Sequence, residues 1–274
     1  MDWLHHHQRG FGLVLTIGSL VVALPILLVL LVPTILGWLA PPLDLKTDLY
    51  SVNRPIAFTF VDAAGETVGH RGALVGERLK LEQMPDYLPA AFIAVEDRRF
   101  YSHNGIDIRG LIRATITNFR AGHVVAGGST ITQQTAKIIY TSQERTFGRK
   151  LAELADAASL EKSLSKKQIL ELYLNRLYLG SGAYGVDGAA HVYFGKSARN
   201  LTLPEAAMLA TLTRAPSVFS PRRDLASAQN RANHVLDAMV ETGAITQAQA
   251  DDAKAHPAVI SDPAIVDSRN FFLD

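Results

Sequence analysis

Hydrophobic and polar positions give the chain three successive textures. Residues 11–40 carry no charged side chain and are dominated by Leu, Val and Ile, a run longer than the roughly 20 residues a helix needs to cross a bilayer. The pattern predicts one N-terminal transmembrane helix. Pro25 and Pro33 would bend or end a helix in water, but inside a membrane the freed backbone groups can be satisfied locally. No small-x-small cleavage pattern precedes Pro41-Pro42, so the span reads as an uncleaved anchor. Trp38 suits the interface at its far end, and Arg9 in the short head places residues 1–10 in the cytoplasm.

From 41 to 85 the pattern shortens into β-like pieces at 56–61 and 67–74, separated by Asp62-Ala63-Ala64-Gly65, which has hairpin-loop chemistry. Beyond Pro85 the spacing turns helical and stays so to about residue 256, with no internal repeat. Leu88-Pro89 predicts a helix start, and 90–100 follows with Phe92, Val95 and Phe100 on its buried face. Further helices are predicted from Ser129 or Thr130, from 145 to 163, over 167–175 (apolar on too many sides for a surface element), over 203–210 and over 231–239, with Gly243 as a stop. The glycine-rich loop 180–185 lacks the lysine of a P-loop.

Composition narrows the function classes. Basic and acidic residues number 27 and 26, so no overall field draws the chain to nucleic acid. The absence of cysteine excludes disulfides, thiolate catalysis and cysteine-held zinc. His5-His6-His7 reads as a solvated tail.

Chemistry concentrates in three places. Glu96-Asp97-Arg98-Arg99-Phe100-Tyr101-Ser102-His103-Asn104-Gly105 follows the apolar run 90–95, a setting that favours a shifted pKa. Glu96 and Asp97 are expected late in a helix whose dipole disfavours carboxylates, so a raised pKa is expected for Glu96. Taken alone, this stretch reads equally as a solvated helix end with arginine partners. Gly127 to Lys137 offers a capped helix start whose free N–H groups can meet an anion, with Lys137 two turns on; a structural cap fits as well. Arg145, Arg149 and Glu153 share one face at a spacing of four with Lys150 beside them, which alone reads best as a ladder of weak ion pairs.

In this order the stretches resemble glycosyltransferase family 51, the peptidoglycan glycosyltransferases of class A penicillin-binding proteins and their monofunctional relatives. Glu96-Asp97-Arg98-Arg99-Phe100 with His103 and Gly105 matches E-D-x-x-F-x-x-H-x-G. Gly128-Ser129-Thr130 with Gln133-Gln134 and Lys137 matches G-x-S-T-x-x-Q-Q-x-x-K, and Arg149-Lys150 with Glu153 matches R-K-x-x-E. Lys167 through Gly180 matches K-x-x-I-L-x-x-Y-L-N ending in glycine, and Arg231 with Val235-Leu236 and Met239 the fifth motif. The likeness covers about 86–255. Thr135 and Ile138 stand where leucine and asparagine are commoner, and Ala232 replaces an arginine.

The resemblance implies a mainly α, lysozyme-like helical domain (86–256) with a cleft and a small membrane-facing subdomain at about 107–147. It implies transfer of a growing glycan from undecaprenyl diphosphate to the 4-hydroxyl of the GlcNAc of lipid II, forming a β-1,4 bond with inversion. Glu96 is then the base, as inversion requires one. Lys137, Arg149 and Lys150, with N–H groups near Ser129 and Thr130, neutralise the leaving diphosphate. Glu153 is catalytic, orienting these cations or holding a divalent ion, Mg2+ or Mn2+. Asp97, His103 and Gln134 position substrate. The implied partners are lipid II, the lipid-linked glycan, the bilayer and cell-wall assembly proteins, and the implied location is the bacterial cytoplasmic membrane with the domain outside. The rivals are a lysozyme-like hydrolase, which the phosphate-suited cations disfavour, and an inactive membrane scaffold. Residues 257–274, ending Asn270-Phe271-Phe272-Leu273-Asp274, resemble the linker into a transpeptidase domain, so a longer protein is expected.

Overall fold

The computed structural model describes residues 31, 35, 38, 40, 43, 48–64, 67–123, 127–140 and 147–261, without the side chains of 57, 59, 67–71 and 147–151. The anchor expected over 11–40 lies outside the described residues except at positions 31, 35, 38 and 40. No helix among the described residues is long and apolar enough to cross a membrane.

The expected hairpin forms from β1 (Ala57–Val61) and β2 (Thr67–Gly72), antiparallel with a bulge at Phe60/Val61. The Asp62 carboxylate accepts from the Ala64 N–H (2.9 Å) and starts the turn. The second strand does not run on to residue 74 as expected. Gly72 takes φ +93° and turns the chain, so Leu74–Val75 becomes β3, which pairs in parallel with β4 (Ala183–Tyr184).

Helices make up most of the rest. They are α1 (Tyr87–Glu96), α2 (Ile108–Ala121), α3 (Ile131–Tyr140), α4 (Phe147–Ser163), α5 (Lys166–Arg176), α6 (Gly185–Phe194), α7 (Leu203–Ala210), α8 (Leu225–Glu241) and α9 (Gln247–Ala255). Their starts carry the chemistry that orphan N–H groups require. Capping boxes at Ser165/Gln168, Thr202/Glu205 and Thr246/Gln249 open α5, α7 and α9, and Asp224 caps α8. The Asp224 cap starts α8 six residues before the expected 231. Gly243, at φ +73°, lies just past its end.

Two expectations for α1 are corrected. The helix stops at Glu96, and Asp97 leaves helical geometry at φ −159°, ψ 73°. Phe100 therefore reaches the core from a short 3-10 turn (Phe100–Ser102), not from α1. The cause lies in Asp97, whose side chain is directed to the start of α3.

The core centres on α5, whose Ile169, Leu170, Leu172, Tyr173 and Leu174 are all buried against α3 and α6. Such all-round burial is worth about 1.5–3 kcal/mol per large side chain before entropy is counted. Across it, α1 lies on α7 and α8. One buried amide closes the end of α5. Asn175 Oδ1 accepts from the Leu79 N–H (2.9 Å), and Nδ2 donates to the carbonyls of Leu79 (2.8 Å) and Glu171 (2.7 Å). A Cβ at Gly185 would meet the Asn175 carbonyl oxygen at 2.7 Å, and φ there is +75°, so this crossing requires glycine.

The segment that precedes the hairpin is fastened to the helices. Lys162 Nζ donates to the Ala40 carbonyl (3.1 Å), and Ser163 Oγ accepts from the Leu43 N–H (3.1 Å). The buried Arg176 guanidinium donates to the carbonyls of Leu49 (2.8 Å) and Val52, and Asn53 Nδ2 to that of Ile139 (2.6 Å). Tyr50 donates to Glu171 (3.0 Å) under the Arg78 guanidinium. Burial, followed by the Glu171 charge, pushes the Tyr50 pKa up to about 12.

Candidate active site

Glu96 is the last residue of α1, and its side chain is 10% exposed. Both carboxylate oxygens accept hydrogen bonds. Gln134 Nε2 donates to Oε2 (2.8 Å) and Thr213 Oγ1 to Oε1 (2.5 Å). Behind Gln134, the Tyr173 hydroxyl donates to the amide oxygen (3.0 Å). Burial raises the Tyr173 pKa well above its ordinary value, and the charges of Glu96 and Asp97 add to the shift. Arg214 Nε lies 4.0 Å from Oε1, more than half exposed.

Asp97 works inward. Its Oδ2 accepts from the Ile131 N–H (3.0 Å) at the start of α3, and His103 Nε2 lies 2.9 and 3.0 Å from the two oxygens. The side chains of His103 and Asp97 are 4% and 2% exposed. His103 lines neither cavity beside Glu96. It braces Asp97, edge-on to Phe100. The expected anion site at the start of α3 is altered. The Ile131 N–H is occupied by Asp97 and the Gln133 N–H by Thr130 Oγ1 (3.2 Å), while Thr130 itself is buried and donates to the Gly105 carbonyl (2.6 Å). The anion held by that helix start is the protein's own carboxylate.

Two cavities meet at Glu96. One, of about 270 Å3, lies between α1, α2 and the loop 127–130 and is lined by Asp97, Arg98, Arg113, Ser129, Thr130 and Arg214 as well as Glu96. Gly128 lets that loop lie on α2, since a Cβ there would meet Leu111 Cδ1 at 2.9 Å. The other, of about 410 Å3, opens toward α7 and α8, where Phe219, Arg231 and His234 join Arg98, Arg214 and Glu96. Both cavities set Glu96 among arginines; Asp97 and Asp107 also line the first, but Asp97 is taken up by the Ile131 N–H and His103, and Asp107 by Arg99 and the Gly110 N–H, which leaves Glu96 facing the cations. Arg98 also pairs with Glu241 (2.6 Å) and donates to the Ala94 carbonyl (3.1 Å), and Arg99 is committed to Asp107 (2.9 Å), which also caps α2 by accepting from the Gly110 N–H (2.9 Å).

The remaining predicted residues fall on α3 and α4, which pack together. Lys137 is exposed one turn beyond Gln134 on the same face of α3. Glu153 is half-buried on α4. Burial raises the pKa of Asp156, one turn on, and the Glu153 charge raises it further, so the two carboxylates feel one another. Arg149 and Lys150 lie in the first turn of α4, and their side chains are outside the described part.

Several contributors escape a reading of the sequence. Tyr173 is the core residue expected of α5, but its hydroxyl is the only part of it that matters to Glu96. Thr213 and Arg214 follow the end of α7, 117 residues from Glu96 in the case of Thr213. No periodicity points to them. Arg113 sits among exposed residues of α2, and Asp156 was visible only as one more charge on a long helix.

Known proteins resemble the chain over most of its length. It is 42% identical over 263 residues to penicillin-binding protein 1A of Aquifex aeolicus, covering 96% of this chain and 36% of that one. It is 45% identical over 213 residues to penicillin-binding protein 1A of Neisseria gonorrhoeae, covering 78% of this chain and 27% of that one. The chain thus spans about a third of the length of these relatives. The crystal structure of penicillin-binding protein 1A from Haemophilus influenzae aligns with 76% of this chain and 22% of its own, at 28% identity and a TM-score of 0.46. The family profile described as Transglycosylase matches residues 65–240, a stretch that includes Glu96, both cavities and every residue that touches the carboxylate. The chain belongs to the transglycosylase family, glycosyltransferase family 51.

Proposed function

We propose that this chain is a peptidoglycan glycosyltransferase that polymerises lipid II into β-1,4 glycan strands with inversion. The observation that carries the reading is the meeting of two cation-lined cavities at one fixed carboxylate, an arrangement suited to two anionic substrates that react across a single base. In the step, the acceptor hydroxyl oxygen attacks the anomeric carbon of the donor. The bond from that carbon to the diphosphate oxygen breaks with its electron pair, and the hydroxyl proton passes to Glu96. Arg98, Arg113 and Arg214 border the reacting region, and Lys137, Arg149 and Lys150 belong to the helices that would carry the departing diphosphate.

The Glu153–Asp156 pair fits a divalent cation of the Mg2+ or Mn2+ type. Among the described residues no cluster of three metal-ligating side chains occurs, but Mg2+ commonly takes one or two carboxylates together with substrate phosphates. Such an ion would supply charge neutralisation at the diphosphate.

The placement we infer is the outer face of the bacterial cytoplasmic membrane, with a lysozyme-like helical domain held by an N-terminal anchor. Leu31, Ile35 and Trp38 are exposed at i, i+4 and i+7, the spacing of one helix face. On α2, Leu111, Ile112, Ile116 and Phe119 are exposed, Phe119 by 87%, which suits a face lying in the interface. Contacts with other cell-wall assembly proteins belong to the same reading.

Incubation with lipid II in bilayers tests it: wild type yields polymer and free undecaprenyl diphosphate, and Glu96→Gln yields neither. Release of soluble muropeptides from finished glycan, without polymer from lipid II, refutes the transferase reading.

A further inference from the structure

The two oxygens of Glu96 are held by neighbours of different kinds. Oε2 meets an amide, Gln134 Nε2 (2.8 Å), which can donate and never accept. The orientation of that amide is set by Tyr173, 1% exposed, whose hydroxyl reaches Gln134 Oε1 (3.0 Å). Burial and the nearby carboxylates keep this phenol protonated, so it donates, and the NH2 end of Gln134 is turned to Glu96. Were the amide reversed, its oxygen would face a carboxylate.

Oε1 meets a hydroxyl instead. Thr213 Oγ1 lies 2.5 Å from it and 3.1 Å from the Ala210 carbonyl oxygen. One hydroxyl proton serves two acceptors, so it can point to only one of them at a time. While Glu96 is charged, the hydroxyl donates to Oε1. When Glu96 becomes a neutral acid, the same hydroxyl can turn its proton to Ala210 and accept the carboxyl O–H. Gln134 goes on donating to Oε2 in either state, but only Thr213 can also accept a proton from the oxygen it faces.

We propose that Tyr173 and Thr213 are positioning residues for Glu96: Tyr173 locks Oε2 through Gln134, and Thr213 makes Oε1 the oxygen that takes the proton from the attacking hydroxyl. The acceptor O–H bond breaks, an O–H bond forms on Oε1, and the Thr213 proton changes acceptor from Glu96 to Ala210 without leaving its oxygen. No other proton moves. The inference rests on the reading of Glu96 as the base.

Steady-state polymerisation of lipid II by the full chain tests it. Thr213→Val, of nearly the same shape, and Tyr173→Phe, which loses only the O–H, should each lower kcat about tenfold while KM stays within about twofold. Thr213→Ser should keep kcat within about threefold of wild type, because the hydroxyl is retained. If Thr213→Val does not fold, Thr213→Ala takes its place. Tyr173→Phe added to Gln134→Ala should cost nothing further, since Tyr173 acts only through Gln134. The proposal is overturned if Thr213→Val keeps wild-type kcat, if the loss falls in KM, or if Tyr173→Phe lowers kcat further in the Gln134→Ala background. Glu96→Gln separates the two levels. An active Glu96→Gln removes the base reading itself, whereas an inactive Glu96→Gln beside a fully active Thr213→Val removes only this proposal.

Discussion

Replacing Asp97 with alanine should destabilise the domain by about 2–6 kcal/mol. The carboxylate satisfies two buried donors, the Ile131 N–H at 3.0 Å and His103 Nε2 at 2.9 Å, and each buried donor left without an acceptor costs about 1–3 kcal/mol. A whole domain has only about 5–15 kcal/mol, so the upper end of that range leaves the fold marginal. Asp97→Asn should fall between alanine and wild type. Its amide oxygen can still take the Ile131 N–H, but its NH2 then faces His103 Nε2, which must become an acceptor. The ring proton moves to Nδ1, which has no partner among the described residues, so an orphaned acceptor becomes an orphaned donor, at a cost of at most about 1–3 kcal/mol. Urea unfolding followed by circular dichroism in detergent, on all three proteins, measures these differences, and polymerisation should be assayed well below each midpoint. A loss under about 1 kcal/mol in Asp97→Ala would refute the reasoning. Inactivity of Asp97→Asn without loss of stability would place the carboxylate on substrate instead of on α3.

Four further outcomes follow from other parts of the molecule. The Tyr50 pKa is raised to about 12 from 10.0, so its contribution to stability is fully present below pH 10 and lost as pH climbs toward 12; the stability gap between wild type and Tyr50→Phe should shrink over that window, and a constant gap contradicts the assignment. Asn175→Ala orphans both backbone groups of the fully buried Leu79 and should cost about 2–6 kcal/mol in urea unfolding; a cost under 1 kcal/mol would show that other groups replace the amide. Phe119→Ser should slow turnover of lipid II in bilayers about tenfold, in line with about 1.5–3 kcal/mol for burying such a ring, and leave turnover of a short-chain analogue in detergent unchanged; equal loss in both would move Phe119 from the interface to the fold. Glu153→Gln should weaken Mn2+ binding in the presence of diphosphate about tenfold by paramagnetic resonance, and unchanged binding would remove the Glu153–Asp156 pair as the cation's seat.

The elements were largely legible because burial leaves a local signature. The apolar density of 167–175 and the proline in the first turn of α7 each predict a helix where one stands. Boundaries failed where a side chain was recruited from afar: α1 was expected to continue to Phe100, and it ends at Glu96 because Asp97 serves the start of α3. The site was legible to the extent that its residues form motifs. Charge and spacing single out Glu96 and Asp97 together, and Gln134 enters through its motif, but neither tells an inward from an outward carboxylate, so the bracing of Asp97 by His103 is visible only in the structure. Thr213 has no local signature at all, since its importance lies in a contact across 117 positions.

The fastening of Ala40, Leu43 and residues 49–53 onto α3, α4 and α5 has a mechanical consequence. A flexible linker would let the domain wander above its tether by a distance that grows with the root of linker length. Here the described residues Ala40, Leu43, Leu49, Val52 and Asn53 are each hydrogen-bonded to a helix, so a pull on any of them passes directly into the helices. One point where such a pull arrives is α5. Arg176 and Glu171 hold Leu49, Tyr50 and Val52 from the same helix whose Tyr173 bonds Gln134, so a force on this segment is delivered within one turn of the residue that orients the partner of Glu96.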